Sequence, residues 1–200
     1  VVEDAIGAVG RLRIREGAAW GLALLHDADN VRKISLCRTL SVFPDPGIVT
    51  AMGSELNQEQ DPFVHQAAIR ALLQVHSDSA RDVLLGLLRH PTPVMRGRAA
   101  SALGAWGDRE LGEDILPLLP DDDPGVQEAV LTALAEANYL GARQDLAGIR
   151  RLASQGTPRV RAAAFRLLGL LRDTESSAMI TDVTRNIQPA DPWEPREAAF

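Results

Sequence analysis

The chain has 200 residues, of which 46% are hydrophobic but only 4% are aromatic, and its formal net charge is −6. An acidic chain has no general attraction for phosphate backbones, which argues against nucleic-acid binding. The sequence contains no apolar run of about 18 residues, so no segment of it is predicted to span a membrane.

The predicted elements are paired helices, and a proline opens one helix of most pairs. These prolines are 31, 31, 34 and 34 residues apart, at Pro62, Pro93, Pro124, Pro158 and Pro192. Similar residues follow at fixed offsets, as in Ala67-Ala68 and Arg98-Ala99, and apolar positions recur with helical period. In chain order, helices are predicted at 1–12, 16–26, 30–42, 46–58, 62–76, 79–89, 93–106, 109–119, 124–138, 142–154, 158–172 and 174–187, with a further start at 192.

Start and stop signals agree with this pattern of helices. Aspartates stand where the side chain of an N-cap residue accepts the free amide hydrogens of the first turn. They are Asp45, Asp61, Asp78, Asp108, Asp123 and Asp191. Proline at the first helical position costs no hydrogen bond, because that amide would be free in any case. Gly107 and Gly141 are predicted to end helices.

The pattern D-P-x-V-x-x-A-A-x-x-A-L-G-x-x-G-D is visible from Asp61 onward and again from Pro93 to Asp108. It resembles the HEAT repeat, in particular the short bacterial type called PBS-lyase HEAT-like. The resemblance extends over the whole chain and implies an all-α, right-handed α-α superhelix, a HEAT-like solenoid of about six helical hairpins. Residues 1–200 are therefore expected to form a single array, and its incomplete first and last units suggest a piece of a longer chain.

One ladder of polar residues lies three positions after the prolines. It consists of His65, Arg96, Gln127 and Arg161, with Arg32 near the equivalent place. The family resemblance implies that these side chains bond to the turn aspartate of a neighbouring repeat, and ligand binding is the alternative.

A second ladder follows the stripe of the second helices that lines the concave face in HEAT-like solenoids. The candidate partner-binding residues on it are Arg38, Gln66, Arg70, Gln74, Ser101, Glu128, Thr132, Glu136 and Arg166. Small residues in the middle unit predict a saddle between a basic side at Arg70 and an acidic side at Glu128. The stripe is either a solvated face or a groove for a peptide or a protein helix, and its mixed charge offers no continuous track for a duplex.

The residues that could bind a metal, react as a nucleophile or anchor a partner are predicted to serve the fold instead. The histidines at positions 26, 65, 76 and 90 form no His-Glu sequence pair of the kind that binds metal in HEAT-like iron hydroxylases, so no metal site is expected. The acidic run Asp121–Asp123 is predicted to cap a helix, and the single cysteine, Cys37, to be a buried core thiol. Trp20, Trp106 and Trp193 are expected to pack in the core, with a surface anchor as the alternative.

The leading hypothesis is a non-catalytic scaffold that binds a protein or peptide on its concave face, in a reducing, cytoplasmic compartment. No catalytic residue, cofactor or nucleic-acid partner is predicted, because the sequence has no phosphate loop, nucleophile elbow or paired cysteine motif. Two alternatives stay open. One is an enzyme subunit of the bilin-lyase type, which the family label suggests, and the other is a regulatory or structural domain of a larger, possibly membrane-associated protein.

Overall fold

The structure, a computed structural model, describes residues 2–58 and 61–185. Its α-helices are α1 (Val2–Leu12), α2 (Arg15–Leu25), α3 (Asn30–Leu40), α4 (Pro46–Gln58), α5 (Pro62–Val75), α6 (Asp78–Leu87), α7 (Pro93–Ala105), α8 (Gly112–Ile115), α9 (Pro124–Glu136), α10 (Leu146–Gln155), α11 (Pro158–Leu170) and α12 (Ser177–Arg185). Short 3₁₀ segments lie at Arg109–Leu111, Leu116–Leu118, Leu140–Asp145 and Thr174–Ser176. The two described ranges contain no strand, which confirms the predicted all-α solenoid.

The helices form two layers. In the inner layer, each odd-numbered helix from α1 to α11 packs on the next odd-numbered helix. In the outer layer, each even-numbered helix from α2 to α10 packs on the inner helix that follows it, so the repeating unit is a hairpin. A leucine at the same position of each inner helix from α3 to α11 is fully buried, at Leu40, Leu72, Leu103, Leu134 and Leu168. No helix within residues 2–58 and 61–185 is long and apolar enough to cross a bilayer.

The inner helices begin as the aspartate and proline pattern predicts. Oδ1 of Asp61 accepts the amides of Phe63 and Val64 at 2.7 and 3.1 Å, so the side chain satisfies two free donors of the first turn. Asp123 caps α9 in the same way through the amides of Gly125 and Val126. These caps fix where the inner helices start and therefore the register of one repeat on the next.

Several inner helices end in a left-handed residue, which the sequence predicts only at Gly107. Gly107 has φ of +87°, but Arg13, His76, Asn138 and Arg172 hold φ between 48° and 52° without being glycine. After α9 the amide of Tyr139 donates to the carbonyl of Leu134 at 3.0 Å, which is the 6→1 hydrogen bond of a Schellman motif. Because glycine is the main sequence signal for this geometry, the other ends could not be recognised from composition.

The predicted helix 109–119 is wrong as a continuous element. The structure has α8 there, flanked on both sides by 3₁₀ turns. Pro117 lies near the end of this stretch, has no amide hydrogen to donate, and its ring crowds the carbonyl one turn earlier. A tighter 3₁₀ turn accommodates it, and the outer layer is irregular at this unit as a result.

Two later outer helices start after their predicted positions. The predicted helix 142–154 begins as 3₁₀ and becomes α-helical only at α10, where Oδ1 of Asp145 accepts the amide of Gly148 at 3.0 Å. The predicted helix 174–187 likewise opens with a 3₁₀ turn before α12, and its last residues lie outside the described ranges.

Two residues that were predicted to cap or end a helix, Asp78 and Gly141, do not do so in the structure. Asp78 is the first residue of α6 and not its N-cap, because Oγ of Ser77 accepts the amide of Ala80 at 3.2 Å. Gly141 lies inside a 3₁₀ segment and does not end a helix; Asn138 takes the left-handed position after α9. The predicted start at Pro192 and its cap at Asp191 lie outside the described residues.

The inner layer is packed unevenly. α7 lies much closer along α9 than along α5. A Cβ atom on Gly104 of α7 would come within 2.6 Å of Cα of Ala133 in α9, so only glycine permits this approach. The close contact on one side of α7 leaves space on its other side.

Candidate functional site

An open groove of about 620 Å³ lies between α5 and α7, and the first turns of α9 form its far wall. We call it the α5–α7 groove. Phe63 and Arg70 of α5 line one side, Val94 and Ser101 of α7 line the other, and Asp123 lies at the α9 wall. Its volume is in the range of sites that hold small ligands or a few side chains of a peptide.

The groove exists because of the residues at two packing positions. In the neighbouring pair of helices, Gly97 of α7 faces Ala129 of α9, and a Cβ on Gly97 would lie 3.6 Å from Cβ of Ala129. The corresponding residues of the α5–α7 pair are Gln66 and Arg98. Two long polar side chains cannot interdigitate where a glycine and an alanine do, so α5 and α7 remain apart.

Arg98 is the most unusual residue of the groove. The repeats that open at Pro62, Pro124 and Pro158 carry alanine at its position, namely Ala67, Ala129 and Ala163, and the unit that opens at Asn30 carries Ser35. Within the described residues, its Nη1 atom is the one buried side-chain nitrogen or oxygen without a hydrogen-bond partner. Leaving a buried donor unpaired costs about 1–3 kcal/mol, and more when the group is charged.

The rim of the groove is apolar. Phe63 and Val94 each follow a helix-opening proline and are 68% and 58% exposed. Val31 has the same position in α3 and is 59% exposed. Large apolar side chains held in water beside a concave surface are typical of protein-binding sites, because covering them is favourable.

The structure places only part of the predicted stripe in the groove. Gln66, Arg70 and Ser101 line it. The remaining candidates lie elsewhere on the inner helices, at Arg38, Gln74, Glu128, Thr132, Glu136 and Arg166. Gln74 is bonded there, since its Oε1 accepts the hydroxyl of Ser41 at 3.0 Å.

The groove coincides with the predicted saddle only on its basic side. Arg70 lines the groove, but Glu128 does not, and the carboxylate at the α9 wall belongs to Asp123. Sequence reasoning also missed Phe63, Val94 and Arg98. A signal for Arg98 was present, since a charged residue in an alanine position of a repeat departs from its packing pattern.

The structural ladder is confirmed at one of its members. Nε and Nη2 of Arg96 in α7 donate to the two oxygens of Asp121 at 2.7 and 2.9 Å, and Asp121 belongs to the turn of the next unit. This bidentate pair holds the pKa of the Asp121 carboxyl below its usual value. The bond joins two consecutive repeats.

The other described bonds of the ladder differ from the prediction. Nε2 of Gln127 and Nε of Arg161 donate to backbone carbonyls of their own units, and Arg32 pairs with the N-cap of its own helix, Asp29. The prediction of bonds to a neighbouring turn is therefore wrong for these three.

A second ion pair between units was not predicted. Nε of Arg150 in α10 donates to Oδ2 of Asp173 at 2.8 Å, and Nη1 donates to Glu175 at 2.6 Å. The guanidinium lowers the pKa of the Asp173 carboxyl, mainly through these hydrogen bonds. The sequence ladder placed its cations on inner helices, whereas Arg150 belongs to the outer layer.

The structure brings together one His–Glu pair that is distant in the sequence. Nδ1 of His26 lies 3.0 Å from Oε1 of Glu55, and Nζ of Lys33 lies 2.7 Å from Oε2. The Glu55 side chain is only 4% exposed, so the lysine compensates a buried charge. Among the described residues no three His, Cys, Asp or Glu side chains are grouped to bind a metal.

Cys37 is buried in the core, as predicted. Burial, together with the nearby Glu55 carboxylate, raises the pKa of its thiol to about 12. The thiolate form needed for nucleophilic reactions is therefore scarce at neutral pH.

The tryptophans divide between core and surface. Trp106 is half-buried and its ring stacks on His76, with centroids 4.2 Å apart and planes 17° from parallel. This stack joins the C-terminal ends of α5 and α7. Trp20 is 44% exposed, so the prediction of core packing is wrong for it, and Trp193 lies outside the described residues.

Comparisons with known proteins address the fold. Two overlapping segments, residues 17–103 and 84–151, match the family model for HEAT repeats. Among solved structures, the chain is similar to an engineered protein determined by crystallography, with 21% identical residues and a TM-score of 0.51 over 85% of this chain and 84% of that one. At this identity the likeness concerns the fold alone. No curated protein matches the chain.

Proposed function

Because the chain belongs to the HEAT-repeat family, we propose that it is a non-catalytic scaffold that holds a protein or peptide in the α5–α7 groove. Solenoids of this kind present much surface for their length, but the family alone does not identify a function. The observation that carries the proposal is the groove itself, an uneven gap in an otherwise closely packed layer, with exposed apolar side chains at its rim.

The proposal is tested by filling the groove. Ser101 is exposed on the groove wall, so Ser101→Tyr places a bulky ring there with little effect on the core. Ser154→Tyr, at an exposed position of α10 in the outer layer, is the matched control. A photo-crosslinking residue at each position identifies partners in an extract of the source cells.

We expect the residue at position 101 to crosslink a defined partner. Purified partner should bind the wild-type chain and Ser154→Tyr equally and bind Ser101→Tyr at least tenfold more weakly. Equal binding by all three proteins would place the interaction elsewhere and refute the proposal.

The bilin-lyase alternative makes a different prediction. A bilin bound by the chain would change its absorption spectrum, whereas the scaffold proposal expects an unchanged spectrum on mixing. No described feature of the groove favours the lyase.

A further inference from the structure

We infer that the α5–α7 groove selects peptide segments in which an acidic side chain lies among apolar ones, and that Arg98 binds the carboxylate. The inference rests on the proposed function, since it gives the chemistry of the segment that the scaffold holds. It depends on a residue particular to one repeat, because small residues, Ser35, Ala67, Ala129 and Ala163, stand at the equivalent positions of the other complete repeats.

Arg98 is half-buried, and within the described part of the chain one of its guanidinium nitrogens lacks an acceptor. Its Nη1 atom is shielded from solvent and has no acceptor, although the side chain lines the groove. Arg96 and Arg150, which also join units, are instead each paired with an aspartate. A guanidinium is best satisfied by a carboxylate, which accepts two of its N–H groups in one plane.

The remaining charges of the groove define where an acidic side chain can lie. Arg70 adds a second positive charge on the α5 side. Asp123 repels anions at the α9 wall, and its Oδ1 already accepts the amides of Gly125 and Val126. An acidic group is therefore favoured between α5 and α7 and disfavoured towards α9.

The surroundings of Arg98 favour apolar neighbours for that acidic group. Ile69 and Leu73 line the groove from α5, and Phe63 and Val94 stand at its rim. Apolar side chains of a bound segment would cover these residues and exclude water from the ion pair, which strengthens it. Charge and apolar surface together match an acidic residue flanked by Leu, Val or Phe.

The experiment uses an array of short peptides rich in Leu, Val and Phe around a fixed central Glu, Gln or Lys, each with an amidated or a free C-terminus. We expect the wild-type chain to bind the Glu peptides about tenfold or more tightly than the isosteric Gln peptides. Arg98→Ala installs the residue that three other repeats carry, so it should fold, which circular dichroism checks. It should bind Glu and Gln peptides equally, while Arg109→Ala, at an exposed outer-layer position, should retain the preference.

Each contrary result has a separate meaning. Equal binding of Glu and Gln peptides by the wild type, or a preference that survives in Arg98→Ala, overturns the inference and leaves the scaffold intact. A preference for Lys, or one confined to peptides with a free C-terminal carboxylate, also overturns it. If no peptide binds, the inference is wrong, and crosslinking at position 101 decides the scaffold independently.

Discussion

Arg98 places a guanidinium at a position where helices pack, and this is expected to lower the free energy of unfolding. Arg98→Met keeps an unbranched side chain of similar reach but removes the guanidinium, including the unpaired Nη1. We expect the free energy of unfolding to rise by about 1 kcal/mol, because a buried donor without a partner is replaced by apolar surface. Urea denaturation followed by circular dichroism measures the change.

A matched substitution shows whether this gain is specific. Arg151→Met removes an exposed guanidinium from α10 and should change stability by less than about 0.5 kcal/mol. If Arg98→Met were instead less stable than the wild type, the Arg98 guanidinium would have to be satisfied in solution. The charge would then not be available to a partner.

The two aspartates that join units predict a dependence of stability on pH. The pKa values of Asp121 and Asp173 are lowered in the folded chain, mainly by hydrogen bonds from Arg96 and Arg150. A lowered carboxyl pKa contributes stability that is fully present above the unfolded value of about 3.9 and is lost as the pH falls through the folded value. The wild type should therefore lose stability steeply below about pH 4.

The double variant Asp121→Asn with Asp173→Asn tests this dependence, because neither asparagine titrates. It should be less stable than the wild type at pH 7, and the difference should shrink as the pH is lowered through the acid range. Melting temperatures measured at a series of pH values provide the comparison. A difference that stays constant with pH would show that these carboxylates are not the groups responsible.

The role of a single residue was predictable where its side chain bonds to backbone groups close to it in the sequence. Asp61 and Asp123 cap helices as expected, since an N-cap depends on local sequence alone. The pairs of His26 with Glu55 and of Arg150 with Asp173 were not predicted, because each depends on how separate helices lie against each other. The role of Arg98 required both kinds of information, a departure from the repeat pattern and the space around it.

Close approach of α7 to α9 depends on a missing side chain. In Gly104→Ala the new Cβ would meet Cα and Cβ of Ala133 at 2.6 Å, and backbone cannot yield as a flexible side chain does. We expect a loss of about 1–3 kcal/mol in the free energy of unfolding, despite the higher helix propensity of alanine. Chemical denaturation of the purified variant gives the value.

Gly86 in α6 provides the opposite case. A Cβ there would meet nothing within 4 Å, so Gly86→Ala should stabilise the chain by about 0.5–1 kcal/mol through helix propensity alone. Opposite signs for the two substitutions would establish that the α7–α9 contact is close in solution. A stabilising Gly104→Ala would mean that α7 and α9 lie further apart than the structure has them.

Inner helices were predicted more accurately than outer ones for a physical reason. An aspartate or threonine followed by proline marks the start of α5, α7, α9 and α11, and each of these starts is observed where expected. Outer helices lack a common start signal, so local features such as Pro117 decide their form. Apolar periodicity persists through 3₁₀ turns, and it therefore does not reveal where an α-helix is interrupted.

Within the described residues, the inner layer can be treated as two blocks, α1–α5 and α7–α11, because α5 and α7 pack less closely than the other inner neighbours and meet at the α5–α7 groove. The repetition itself was readable from the sequence, and with it the layers and the order of the helices. The position of the weak contact was not, because it follows from the difference between Gly97 with Ala129 on one side of α7 and Gln66 with Arg98 on the other. In an array whose units contact only their neighbours, one weak interface limits how cooperatively the two sides unfold.

Native-state hydrogen exchange can detect this division. The inner helices α7 and α9 are joined by the closest contact of the layer, while α5 meets α7 across the groove. We expect amides of α3 and α5 to exchange through an opening that costs at least about 1 kcal/mol less than the opening of α7 and α9. Mass spectrometry at increasing low concentrations of denaturant resolves the two openings.

The variant Gln66→Ala with Arg98→Ala supplies the control, because it places small residues on both sides of the α5–α7 contact, as in the α7–α9 pair. Closer packing of α5 on α7 should raise the opening free energy of α3 and α5 towards that of α7 and α9, and a bound peptide should do the same by bridging the two helices. Uniform exchange across all four helices in the wild type would contradict the two-block description. A variant that exchanges like the wild type would show that Gln66 and Arg98 do not hold α5 and α7 apart.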